Sequence, residues 1–228
     1  MEARRKGLKE IAITDHGLNH IILGLKWWKV EQSIKEIEEL RKEFSDITIY
    51  MGIEANIIGT RGIIDIKPEQ LPYFDIILCG FHKPARPDRL RDYPGMYLQS
   101  YLPFHLQNKF MVRRNTKAYV EAIKNNPIDV ITHINKSVKV DCGIIAEVAA
   151  ECGTYIELSS RHSTLMTEDM EAMLDTDVKF IINTDAHIVK TIGVTAGAEA
   201  LIAQYGIPLE RIVNVGDKKP TFRSRMNK

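Results

Sequence analysis

The chain has 228 residues, 44% hydrophobic and 27% charged, with a formal net charge of +1. That length suits a single α/β domain, and the composition excludes a disordered, collagen-like or disulfide-stapled chain. With so little net charge there is no global field to select nucleic acid or an anionic membrane as partner.

In chain order, residues 1–7 read as the end of a helix stopped by Gly7. An apolar run, Ile11-Ala12-Ile13-Thr14, then leads into Asp15 and His16. Residues 26–44 read as a charged helix, with Val30, Ile34, Ile37 and Leu40 at helical spacing. A second run ends at Glu54, and Gly59 and Gly62 mark a loop or short hairpin over residues 57–66. A third run, Ile76 to Phe81, ends at His82 and opens a Pro-, Arg- and Asp-rich loop over residues 83–95. The spacing predicts a helix over 105–125, stopped by Pro127, and then a run into His133. Helices over 141–152, 167–176 and 194–205 alternate with strands over 154–158 and up to Asp185. Runs of this length read as strands buried on both faces. Their alternation with helices predicts a parallel sheet of six recognisable strands. One domain is expected over residues 1–217, with residues 218–228 a basic, mobile tail.

Cys79, Cys142 and Cys152 share no CxxC spacing and read as free thiols of a reducing compartment. No apolar run reaches the about 18 residues of a bilayer span. Residues 1–9 are charged and lack a signal-peptide core, so the expected location is the cytoplasm.

Nearly every apolar run ends in a His, Asp or Glu. Groups at the C-terminal ends of several parallel strands converge on one face of a β/α barrel. His16, Glu54, His82, His133, Asp185 and His187 are therefore the candidate metal ligands. Asp185 and His187, two apart in an extended segment, point the same way. Nitrogen and oxygen donors without cysteine suit zinc, with manganese or iron as alternatives. Asp15 and Asp185 are the candidate catalytic carboxylates, and Arg161 and Lys83 the candidate contacts to an anionic substrate. His20, His105 and His162 rank lower. No Walker loop, Rossmann glycine pattern or GxSxG elbow is present.

Five segments together resemble one known family: Ile13-Thr14-Asp15-His16-Gly17, Gly52-Ile53-Glu54-Ala55-Asn56, Gly80-Phe81-His82-Lys83-Pro84, Ile131-Thr132-His133 and Asn183-Thr184-Asp185-Ala186-His187. Their order resembles the PHP (polymerase and histidinol phosphatase) superfamily, and within it the small stand-alone phosphatases of the YcdX-like type, over residues 7–215. The resemblance implies a distorted (β/α)7 TIM-like barrel around up to three divalent metal ions. It implies that His16 ligates one metal, Glu54 bridges two, His82 and His133 complete the second, and Asp185 and His187 hold the remaining positions. A metal-bound hydroxide would then attack the phosphorus of a small phosphate monoester.

The family opens with a strand ending in His-x-His, and this sequence has no such segment. The expectation is a chain shortened at its N-terminus, by truncation in the first instance or as a natural short form. Fewer than three metals, weak or absent activity and exposed sheet edges open to self-association would result. Ile134-Asn135-Lys136 stands after His133 where such phosphatases often carry Pro-Gly. The alternative readings are a non-catalytic metal- or phosphate-binding module and an amidohydrolase-type metal hydrolase.

Overall fold

The structure, a computed structural model, describes residues 2–89, 96–161 and 165–226. Six strands form one sheet: β1 (Glu10–His16), β2 (Thr48–Asn56), β3 (Ile76–Gly80), β4 (Val130–Ile131), β5 (Tyr155–Ser159) and β6 (Phe180–Asn183). They lie in sequence order and every neighbouring pair is parallel. The helices are α1 (Glu2–Arg5), α2 (Trp27–Glu43), α3 (Lys109–Asn125), α4 (Cys142–Cys152), α5 (Thr167–Leu174) and α6 (Ala196–Tyr205). No helix among the described residues is long and apolar enough to cross a membrane.

The strands read as unbroken apolar runs because both faces are covered. Ile49, Met51, Ile53, Ile77, Cys79, Ile131, Ile156 and Leu158 join the main core with Val30, Ile37, Ala118, Ala122, Ile145 and Met170 of the helices. The alternate residues Tyr50, Ile76, Leu78, Val130, Tyr155 and Ile181 meet one another in a smaller inner cluster. Period-two alternation then selects the residues that line this inner face toward the strand C-termini. After Tyr50 come Gly52 and Glu54; after Tyr155, Glu157; after Ile181, Asn183; after Leu78, Gly80 and His82. The inner surface thus changes from apolar floor to polar cup within two residue pairs.

Helix ends obey their local chemistry. Asn108 caps α3 by accepting from Met111 N, and Asp141 caps α4 by accepting from Ile144 N. The helix expected from residue 105 therefore starts at Lys109, and His105 sits in a separate 3-10 turn, Phe104–Leu106. Gly153, at φ 72°, ends α4 in the left-handed conformation. The expected short hairpin is present as an antiparallel bridge between Ile57 and Ile64.

The described residues supply the six strands that the sequence predicts, one fewer than a complete (β/α)7 barrel has. β1 and β6 stand at the two edges, with Ile13 of β1 43% exposed, while β6 is flanked by residues 212–214. There Val213 N donates to Phe180 O, and the Asn214 side chain bonds both Ile182 N and Ile182 O. One expectation is corrected: over its described residues, through Met226, the basic C-terminal segment is not loose. Phe222 is buried and packs edge-on against Tyr50, with centroids 5.4 Å apart. Ser224 N donates to Asp129 Oδ1, and Arg223 donates to Ile123 O, Ile128 O and Thr154 Oγ1. Residues 222–224 thereby close the floor of the sheet at the end opposite the polar cup. Phe222→Ala removes the aromatic part of that closure. It is expected to destabilise the fold by about 3–5 kcal/mol, read as a lower urea midpoint with an unchanged slope.

Candidate metal centre

The parallel register places His16 directly beside Glu54. His82 and His133 come two residues after the last residues of β3 and β4, so the C-terminal ends of four strands deliver one side chain each to the same point. Glu54 Oε1 lies 3.2 Å from His82 Nε2 and 3.1 Å from His133 Nε2, and those two nitrogens are 2.9 Å apart. His16 Nδ1 lies 3.3 Å from Glu54 Oε2, is buried, and has no hydrogen-bond partner among the described residues. Glu54, His82 and His133 are each under 10% exposed.

His82 Nδ1 bonds the Asn56 amide oxygen at 2.8 Å, an atom that only accepts. Nδ1 therefore carries a proton, and in the neutral ring the Nε2 lone pair faces a carboxylate oxygen and a second imidazole nitrogen. Three acceptor-type atoms within 3.2 Å of one another need a proton or a cation among them. His16, Glu54 and His82 likewise offer one ligand atom each, all within 4.8 Å of one another. Ligand atoms about 2.0–2.2 Å from a tetrahedral zinc stand a little over 3 Å apart, so the donor set fits a divalent metal in both spacing and chemistry.

The electrostatics favour the same reading. Burial draws the His16 imidazole down to about 4 and also lowers His133, leaving neutral rings with available lone pairs. Burial by itself raises the Glu54 carboxyl, but when the adjoining His82 and His133 imidazoles carry protons toward it, their charge and hydrogen bonds outweigh burial and hold the group well below the usual carboxylate range. Glu157 behaves oppositely. Full burial, with the charges of Glu54 and Asp185 behind it, pushes that carboxyl up to about 8 despite a bond from His133 N. Glu157 Oε2 accepts from His133 N at 2.6 Å and so anchors the backbone that carries a candidate ligand.

That backbone is strained. His133 (φ 27°), Asn135 (φ 61°) and Asp185 (φ 44°) occupy the left-handed region, which costs about 1–3 kcal/mol per such residue. Gly80 is required beside it, since a Cβ there would stand 2.6 Å from Thr132 Oγ1 and 3.0 Å from His133 Cε1.

The remaining predicted residues are placed unequally. Asp185 and His187 sit at the rim after β6. The His187 ring is 6.4 Å from that of His16, and its Nδ1 lies 2.9 Å from Asp185 O. Arg161 joins them: its guanidinium meets His187 Nδ1 and stands 3.6 Å from Asp185 Oδ2. Asp15 is not brought in. It alternates with His16 on β1, is exposed, and lines an outer groove with Ile22, Leu23, Lys26 and Lys29. Lys83 also turns aside, its ammonium bonded to Ser100 O and 5.1 Å above the Tyr101 ring. His20 stacks on His16 at 4.6 Å, but its Nδ1 accepts from Leu23 N, which makes it a brace for the turn. His162 lies outside the described residues. Sequence reasoning missed Glu157 and Asn56, although the Tyr155-Ile156-Glu157 alternation carried a signal for the first.

The chain is similar to two bacterial proteins each named a probable phosphatase. That of Shewanella sediminis is 28% identical over 221 residues, covering 93% of this chain and 79% of the relative. That of Serratia proteamaculans is 28% identical over 228 residues, covering 96% and 82%. Among solved structures, the histidinol phosphate phosphatase of Lactococcus lactis, complexed with zinc, L-histidinol and phosphate, superposes with a TM-score of 0.54 at 18% identity, covering 91% of this chain and 86% of that one. That likeness shows a shared fold. No protein-family model matches the chain.

Glu54→Gln keeps the shape of the cluster but removes its negative charge. Zinc affinity, measured by competition with a chromophoric chelator, is expected to fall by more than the about 10–100-fold that loss of an outer partner costs. Unchanged affinity would show that the cluster is not the zinc site.

Proposed function

We propose that the chain is a metal-dependent phosphoesterase of the PHP type that hydrolyses a small phosphate monoester. The observation that carries this reading is the convergence of Glu54 with His16, His82 and His133 at four successive strand ends. The similarity to relatives named probable phosphatases supports the choice of phosphate over other esters.

In this reading His16, Glu54, His82 and His133 would hold the metal, and Asp185 and His187 would complete the ligand set at the rim. When bound, a divalent ion such as zinc supplies Lewis-acid polarisation of the phosphoryl oxygens and makes water a better nucleophile. The chain's own residues do the rest. Arg161, at the rim with its guanidinium held by the Asp185–His187 pair, is placed to meet a phosphoryl oxygen. The Asp185 carboxylate, next to that guanidinium, would take a proton from water entering at the rim. Glu157 holds the His133 main chain in its strained conformation, which keeps that imidazole aimed at Glu54. The apolar inner cluster beneath, closed by Phe222, keeps water from entering the cup through its floor.

The test is hydrolysis of p-nitrophenyl phosphate by zinc-loaded protein, beside amide and lactone substrates. Chelation is expected to abolish turnover. Arg161→Ala is expected to lower kcat/KM by about 10–100-fold, the value of one charged hydrogen bond. Hydrolysis indifferent to chelation, or a preference for the amide or lactone, would contradict the reading.

A further inference from the structure

Asp65 lies outside all five sequence motifs, on the loop after β2, and its carboxylate is buried. No ion pair to it is found among the described residues. Instead it is ringed by donors: Oδ1 accepts from Asn56 N at 2.7 Å, while Oδ2 accepts from Asn19 N at 2.8 Å and Asn56 Nδ2 at 2.6 Å. The chain is shaped to admit this carboxylate. A Cβ on Gly17, next to the candidate ligand His16, would stand 2.4 Å from Asp65 Oδ2 and 2.8 Å from Asn56 Nδ2.

The consequence reaches the metal centre through one amide. Two of the three donors on Asp65 are backbone N–H groups of fixed direction, so both carboxylate oxygens must act as acceptors. Asn56 can then turn only its NH2 end toward Asp65. Its oxygen end is left facing His82 Nδ1 at 2.8 Å. Asn56 is fully buried, so no water competes for either end.

We propose that Asp65 is a positioning residue that sets the tautomer of His82: through the Asn56 amide it keeps the ring proton on Nδ1 and leaves Nε2 bare toward Glu54 and His133. This inference rests on the metal-binding part of the proposed function and not on the choice of phosphate as substrate. An imidazole proton on Nε2 would block coordination there and would point a donor at the cluster. A carboxylate two hydrogen bonds removed from the ligand is therefore what makes the ligand available. The arrangement is longer by one amide than the carboxylate–histidine–metal pairing in which the carboxylate touches the ring.

The experiment is a long-range 1H–15N correlation spectrum of the full chain, metal-free and at neutral pH, paired with zinc titration. The His82 ring signals are assigned by their loss in His82→Gln. The wild-type spectrum is expected to show a protonated Nδ1 and a bare Nε2. Asp65→Asn puts an NH2 group where one carboxylate oxygen accepted, which favours the reversed Asn56 amide. The expected result is a shift of the His82 proton toward Nε2 and about 10–100-fold weaker zinc binding. Asn56→Ala, which removes the relay itself, is expected to lose the Nδ1–H tautomer as well and serves if Asp65→Asn does not fold. A wild-type spectrum with the proton on Nε2 would overturn the proposal. Retention of Nδ1–H in either folded variant would do the same. Neither readout involves hydrolysis, so a failed phosphatase assay would leave this result standing.

Discussion

Everything at the polar end of this fold depends on one carboxylate, Glu54, set among imidazole nitrogens and nearly cut off from water. Removing an ion of this size from water costs several kcal/mol even after relaxation. Hydrogen bonds to a charged group return about 1.5–3 kcal/mol each, but His82 has its proton on the far nitrogen. One ring nitrogen is thus left to supply a donor to a triangle of three acceptors. The arrangement is poor as a hydrogen-bonded core and good as a ligand set. A divalent metal bound there would give Glu54, the imidazole nitrogens around it and the buried His16 Nδ1 the partner that hydrogen bonding among the described residues does not.

The sheet makes that convergence a matter of register. Parallel strands in sequence order bring their C-terminal ends to one rim, and period-two alternation selects which residues face inward. Tyr50 and Glu54, Tyr155 and Glu157, Ile181 and Asn183 lie on the same inner lines, apolar below and polar above. The apolar level keeps the cup dry from beneath, and the seated C-terminal segment completes that level. The two glutamates then diverge, Glu54 held charged beside imidazoles and Glu157 pushed toward its neutral form by burial. Environment separates two like side chains on the same rim of the sheet: Glu54 belongs to the candidate ligand set, and Glu157 fixes the backbone of His133.

Much of this was legible in the sequence because both signals are local. An apolar run that stops at His, Asp or Glu marks a buried strand and its functional end at once, and His16, Glu54, His82 and His133 do lie together in the fold. The helices at residues 26–44 and 141–152 were visible from spacing and terminal residues. The features that were not legible depend on contacts across the chain. Asp15 is adjacent to His16 in sequence yet on the opposite face, a distinction that only the β1 register decides. Lys83 carries charge at the mouth, but a carbonyl and an aromatic ring far along the chain hold it. Asp65 has nothing in its sequence surroundings to mark it, since its role comes from a pocket formed by Gly17, Asn19 and Asn56. The basic C-terminal segment reads as solvated by composition, and its seating depends on buried Phe222 and on acceptors from three distant segments.

The most direct test is X-ray absorption at the zinc edge on stoichiometrically loaded protein. The expected first shell is nitrogen and oxygen at about 2.0–2.1 Å, with the outer scattering pattern of several imidazoles. A first shell containing sulfur at about 2.3 Å, or a hydrated ion without imidazole scattering, would place the metal away from Glu54 and its histidines and contradict the role given to that cluster.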